Sequence, residues 1–166
     1  MEELDTNAQQ RRETFARYGL AMYQAQCVEK SIAILVSNVF NEEFLPSGPD
    51  HREIIQEKVF AKTLGHLLSY LRKQIAVPPN LDHNLAEALR KRNWLAHEYF
   101  WDRAAELLTI PGREKMIDEL TMLSEFFSKL DSHLTLTYEK WARKVGITEE
   151  LVEKELKALI QSAEEK

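Results

Sequence analysis

The sequence predicts an all-α fold, an antiparallel up-and-down bundle of four long helices followed by a C-terminal helix. Apolar residues recur every three or four positions over long stretches, the period of a helix with one packed face. Glycine and proline, five of each, fall mostly in short clusters that divide those stretches. Charged residues make up 30% of the chain and no run of 18 apolar residues occurs, so the helices belong to a soluble core rather than a membrane. With 166 residues, one domain is expected. The bundle takes residues 1–145, and residues 146–166 form a helical extension packed on the same domain.

The first helix is expected from about Asn7 to Phe44, on the line Phe15, Tyr18, Met22, Ala25, Ile32, Val36 and Val39. Leu45-Pro46-Ser47-Gly48-Pro49 breaks it, and Asp50 with Glu53 reads as a capping box that starts the second. The second helix carries Phe60, Leu64, Leu67, Leu68, Leu71 and Ile75, with Gly65 placed to allow a close neighbour and His66 at the edge of the stripe. Val77-Pro78-Pro79-Asn80 separates it from the third, which runs from about Leu81 toward Leu108 with a kink near His97. Beyond Thr109-Ile110-Pro111-Gly112, a fourth long helix repeats Met116, Leu120, Leu123, Phe127, Leu130 and Leu134 in alternating steps of four and three. Thr148 is the expected N-cap of the last helix, with Ile147 and Val152 as its staple.

Function is concentrated in the third helix. Leu81, Leu85 and Leu89 form a stripe whose next positions are Arg92, Ala96, Tyr99 and Arg103, so Arg92 stands where a core leucine would be expected. Asn93 and His97 share a face one turn apart, and Ala96 leaves a shallow floor across which Arg92 can meet His97. Glu29 likewise interrupts the apolar line of the first helix. A carboxylate in a packing stripe needs a partner, and Arg92 is the expected one. Trp94 and Trp101 fall together on the side away from Arg92 and read as packing residues, while Tyr99 and Phe100 are better placed to stack on a base.

Arg92-Asn93-Trp94-Leu95-Ala96-His97-Glu98-Tyr99 resembles the motif of the HEPN superfamily, all-helical nucleotide-binding and RNA-cleaving domains marked by an Arg, four to six residues and a His. Tyr99 extends the resemblance to the Arg-x4-His-x-Tyr form of HepT-type toxins. The resemblance implies a metal-independent endoribonuclease, in some branches the toxin of a toxin–antitoxin or defence system, working as a homodimer that joins two motifs in one cleft. It also implies that Tyr99 is open to nucleotidylation by a cognate nucleotidyltransferase-type antitoxin.

Chemistry assigns the parts. Cleavage without a metal needs a proton acceptor at the ribose 2′-hydroxyl, a cation on the phosphate and a proton donor to the leaving oxygen. His97 suits proton transfer and Arg92 the phosphate, with Asn93, Tyr99 and Glu29 in support. The alternatives are a non-catalytic module that binds nucleotide, RNA or a protein partner through the same groove, and a purely structural pair of Arg92 and Glu29. A net charge of −5 argues against a broad nucleic-acid surface but leaves room for a small site. Cys27, the only cysteine, excludes an intramolecular disulfide, and no histidine pairs with another at ligand spacing, so neither metal nor cofactor is expected. The polar N-terminal residues have no apolar secretory core, which points to the cytoplasm.

Overall fold

The structure, a computed structural model, describes residues 2–39, 64–74, 77–144 and 148–165. Every element among them is a helix: α1 (Glu2–Val39), α2 (Leu64–Gln74), α3 (Pro79–His97), the single turns α4 (Tyr99–Asp102) and α5 (Ala104–Leu107), α6 (Ile110–Lys144) and α7 (Glu149–Glu164). The break at Leu45 to Pro49, the capping box at Asp50 and Glu53, and Phe60 and Ile75 lie outside the described residues. No helix among those described is long and apolar enough to cross a membrane.

The core is the seam between α1 and α6. Met116, Leu120, Leu123, Phe127, Leu130 and Leu134, the residues read from their four-three spacing, are all buried. Opposite them α1 buries Ala21, Ala25, Val28, Ile32 and Val36. The two alanines let the axes approach, and each fully buried Leu or Ile contributes about 1.5–3 kcal/mol. The direction of the pair differs from the up-and-down expectation. Hydrogen bonds join Arg113 to Asn7, Gln10 to Glu114 and Ser31 to Asp131, so the two helices run parallel.

The reason lies in α3. It runs antiparallel to α1, meeting it through Tyr18 with Leu95 and Glu29 with Arg92. It also runs antiparallel to α6, since Lys91 lies over Phe126 while Tyr99, just past the end of α3, reaches back to Met116. Two helices each opposed to a third must be parallel to one another. The hairpin of α2 and α3 is clamped by Arg72 and Asp82 at 2.6 Å, and Leu64, Leu67, Leu68 and Leu71 are buried as the sequence predicts.

The reversal from α3 into α6 passes through α4 and α5. Thr109 starts α6, its hydroxyl accepting from Gly112 N at 3.1 Å. Gly112 is required here, because a Cβ would lie 2.2 Å from the Glu106 carbonyl oxygen. Gly65 has no such role, since a Cβ there would sit 3.8 Å from the Leu89 side chain, an ordinary contact. Arg113 is wholly buried and locks the turn, donating to the Leu107 carbonyl at 2.9 Å and to Asn7 at 2.8 Å.

The C-terminal helix departs from expectation. Thr148 caps it as predicted, accepting from Leu151 N at 3.3 Å. Yet every residue from 148 to 165 is exposed, so α7 extends into solvent instead of packing on the bundle. Its apolar stripe, including Val152, Leu156, Leu159 and Ile160, is open.

Two measurements check these assignments. Gly112→Ala is expected to lower stability by about 1–3 kcal/mol through the backbone clash, whereas Gly65→Ala raises it by about 0.5–1 kcal/mol through helix propensity; urea unfolding of both variants tests the contrast. Deleting residues 149–166 is expected to move the unfolding free energy of the bundle by no more than about 0.5 kcal/mol, as for a surface segment without packed contacts. A larger loss in calorimetry would mean that α7 is docked in solution.

Candidate functional site

The motif occupies the last two turns of α3, and the geometry of that helix end sets the site. Glu98 N donates to the Trp94 carbonyl at 2.9 Å, the last regular step of the ladder. The Leu95 carbonyl is then satisfied from outside, accepting from the Tyr18 hydroxyl of α1 at 3.0 Å. Glu98 adopts φ −123° and ψ −19°, and the chain restarts as α4. The kink expected near His97 is therefore a helix end held by a residue of α1. An aromatic cluster braces it: Tyr18 lies 5.8 Å from Tyr99 and 4.6 Å from Phe100, and the Trp94 ring meets Tyr99 edge-on at 4.9 Å.

Arg92 and Glu29 meet as the interrupted stripes predict, Arg92 Nη2 lying 3.4 Å from the Glu29 carboxylate. Arg92 Nη1 donates to the Asn93 side-chain oxygen at 3.2 Å. The guanidinium is thus held from two sides, while its buried Nε–H has no partner among the described residues. It remains partly open, with 27% of the side chain exposed. A phosphate reaching the outer edge would find a fixed cation with its orientation already set.

His97 and Asn93 are exposed, one turn apart. Among the described residues no hydrogen bond joins His97 to Arg92, which turns instead toward Glu29 and Asn93. Ala96 is also exposed. The buried line of α3 runs Leu85, Ala88 and Leu95, with Leu95 and Ala88 each one residue out of step with the expected Ala96 and Leu89, and Tyr99 continues it at the start of α4. Arg92 belongs to both lines, which is why it was found.

Tyr99 stands apart from the other site residues. It is buried at 1% exposure, its hydroxyl 3.5 Å from the Met116 carbonyl. Burial pushes its phenol well above its usual range, the nearby Glu119 carboxylate adds to this, and Arg103 opposes it. As placed, the phenol is out of reach of a phosphate, a base or a modifying enzyme, so the roles expected for it on the groove surface do not fit. Trp94 packs as expected, its Nε1–H donating to Asp102 at 2.7 Å with the Arg103 guanidinium 5.2 Å from its ring. Trp101 does not: it is 83% exposed.

Sequence reasoning passed over two residues that position the site. Tyr18 was placed in the apolar line, and its hydroxyl was the available signal, since a buried phenol needs a hydrogen-bond partner. Arg113 was passed over altogether, although a cation near a helix N-terminus opposes the helix dipole and calls for a local reason. The chain matches no family model, no curated protein and no solved structure.

The Tyr99 environment has a measurable consequence. A phenol that stays protonated in the folded state, while the unfolded chain ionises it near pH ~10, makes unfolding release a proton above that pH. Stability is then lost as pH rises past about 10. Tyr99→Phe is expected to reduce that alkaline loss, measured as the difference in urea midpoint between pH 9 and pH 11 for variant and wild type. Equal losses would place the phenol in water.

Proposed function

We propose that the chain is a HEPN-like, metal-independent endoribonuclease, of the kind that serves as the toxin of a toxin–antitoxin or defence system, and that it cleaves RNA through an Arg92/His97 groove completed by a second copy. The observation that carries this reading is the exposed imidazole of His97, without a hydrogen-bond partner among the described residues, on the same helix end as an Arg92 fixed by Glu29 and Asn93. An imidazole that served only to satisfy a backbone carbonyl would be bonded to it.

The roles follow from the charges. Arg92 holds two oxygens of the scissile phosphate as negative charge builds. Asn93 is exposed and its oxygen is engaged by Arg92, which leaves its amide donors for a third phosphate or ribose contact. His97 takes the 2′-hydroxyl proton, the 2′-oxygen attacks phosphorus, and the 5′-oxygen leaves with a proton from a second imidazole. The product end is a 2′,3′-cyclic phosphate. One chain supplies one imidazole at this place, so acid and base come from two copies related by a two-fold axis.

Glu29 favours a second reading, a non-catalytic module that binds nucleotide, RNA or a protein. Its carboxylate neutralises much of Arg92 before any phosphate arrives.

Incubation of the purified chain with structured and unstructured RNAs in EDTA tests the proposal. His97→Ala is expected to reduce cleavage by about 10²–10⁴-fold. Arg92→Lys, which keeps the charge and loses the bidentate fork, is expected to reduce it by about 10²-fold without unpairing Glu29. Cleavage by wild type with cyclic-phosphate ends supports the enzyme. RNA bound but left intact by every preparation leaves the binding module.

A further inference from the structure

The side of α1 turned away from the core is basic and aromatic. The helix is unbroken here, and at about 100° per residue Arg12, Gly19, Tyr23 and Lys30 fall within about 20° of one line, with Arg11 and Phe15 toward α3. All six are exposed, Phe15 at 52% and Tyr23 at 59%. Arg11 and Arg12 have no carboxylate partner among the described residues. The carboxylates that border the face are engaged, Glu13 by Arg17, Glu29 by Arg92 and Asp131 by Ser31. On a chain of net charge −5, this face is complementary to an anion.

The rings say which anion. Phe15 and Tyr23 are eight residues apart, about 12 Å along the axis. Stacked neighbours in a duplex strand are only ~3.4 Å apart, so bases that use both rings belong to an extended, unpaired strand. Gly19 lies between the rings. Glycine weakens a helix relative to alanine, and a Cβ at Gly19 would meet nothing within 4 Å, so no contact in this chain calls for it. It leaves bare backbone where a strand can cross. A docked protein helix would fill its seam with branched apolar side chains, and the line Arg12, Gly19, Tyr23, Lys30 has none. The exposed stripe of α7 is edged by Glu149, Glu153, Glu155 and Glu164, which repel a phosphate. The α1 face also touches the motif: Phe15 packs on Phe100 at 5.6 Å, and Glu29 of the same helix holds Arg92.

We propose that Arg11, Arg12, Phe15 and Tyr23 form a platform for single-stranded RNA, with phosphates on the two guanidiniums, a base against each ring and the strand crossing α1 at Gly19. Delivery of that strand to Arg92 rests on the ribonuclease reading; the binding itself does not.

Fluorescence anisotropy of a labelled, unstructured RNA of about 12 nucleotides is the test. The full chain carries His97→Ala so that the strand stays intact, and far-ultraviolet dichroism shows that each further variant is folded. Tyr23→Ala is expected to weaken binding about fivefold or more, the loss of one stacked base. Arg11→Gln with Arg12→Gln is expected to weaken it about tenfold and to flatten the slope of log affinity against log salt by about 1.4. Gly19→Leu, which favours the helix and blocks the crossing, is expected to weaken it about fivefold. Lys129→Gln with Lys157→Gln, which removes two cations from other faces, leaves the affinity within about twofold.

No binding up to about 100 µM chain, the weak end of non-specific nucleic-acid binding, overturns the proposal. So does equal binding of the same strand annealed to its complement, which would leave the rings unused, or an equal loss in the Lys129 and Lys157 pair. A wild-type dimer in sedimentation that Tyr23→Ala dissolves, with RNA affinity unchanged, would give the face to a protein instead. Single-stranded binding that needs Tyr23, beside a wild type that cuts no RNA, sinks the ribonuclease reading and keeps the platform. Cleavage and binding both indifferent to every α1 variant do the reverse.

Discussion

The end of α3 is the constraint on which the site depends. A helix leaves its last carbonyls without partners, and α3 must end early for the chain to turn back into α6. The Tyr18 hydroxyl takes up the Leu95 carbonyl at that point. Because Tyr18 also packs on Tyr99 and Phe100, the same residue fixes both where α3 stops and how α4 leaves it. Arg92 lies on the ordered side of that end, paired across to α1. His97 lies at the edge, exposed. The cation is thus held by Glu29 and Asn93 on the regular side of the helix end, and the imidazole falls where the helix stops.

Electrostatics allows the proposed anion-binding site on a chain of net charge −5. At the Debye length of about 8 Å in physiological salt, distant carboxylates are screened, and the near neighbours decide. Glu29 is the nearest. With only 16% of its side chain exposed, it is held away from water and orients Arg92 as much as it opposes an incoming phosphate. Removing it would free the cation and also lose its direction. Under the proposed function the same residue would both position the cation and compete with the phosphate.

Much of this was legible in the sequence, for identifiable reasons. The α6 seam was read correctly because large apolar residues recur there without interruption, and the pairing of Glu29 with Arg92 because charges in apolar stripes must find each other. The phase error in α3 came from taking bulk for burial: Leu89 is only half-buried, while Ala88 is fully buried where the axes come close. Tyr99 lies on the expected stripe and on the buried line alike, and only the groove role taken from the resemblance asked for an open phenol. The parallel course of α1 and α6 was out of reach, since periodicity fixes a face and not a direction. Trp101 was read as core because indoles usually are. Its exposure is a fact of the break after His97, and no spacing rule contains that break.

Catalytic acceleration needs reacting groups held close to their productive geometry before substrate arrives. One copy satisfies this for Arg92, through Glu29, Asn93 and the α1 helix behind them. It does not satisfy it for His97, whose imidazole has no hydrogen bond among the described residues to select a rotamer or a tautomer. On the proposed reading, order at His97 would come from the bound RNA or a second copy. The surface adjoining it is apolar at Trp101 and Leu108, so burying it would exclude water and fix the helix end in the same step. On the proposed ribonuclease reading such a site is half-built in a single copy, and its activity would depend on concentration more steeply than its fold does.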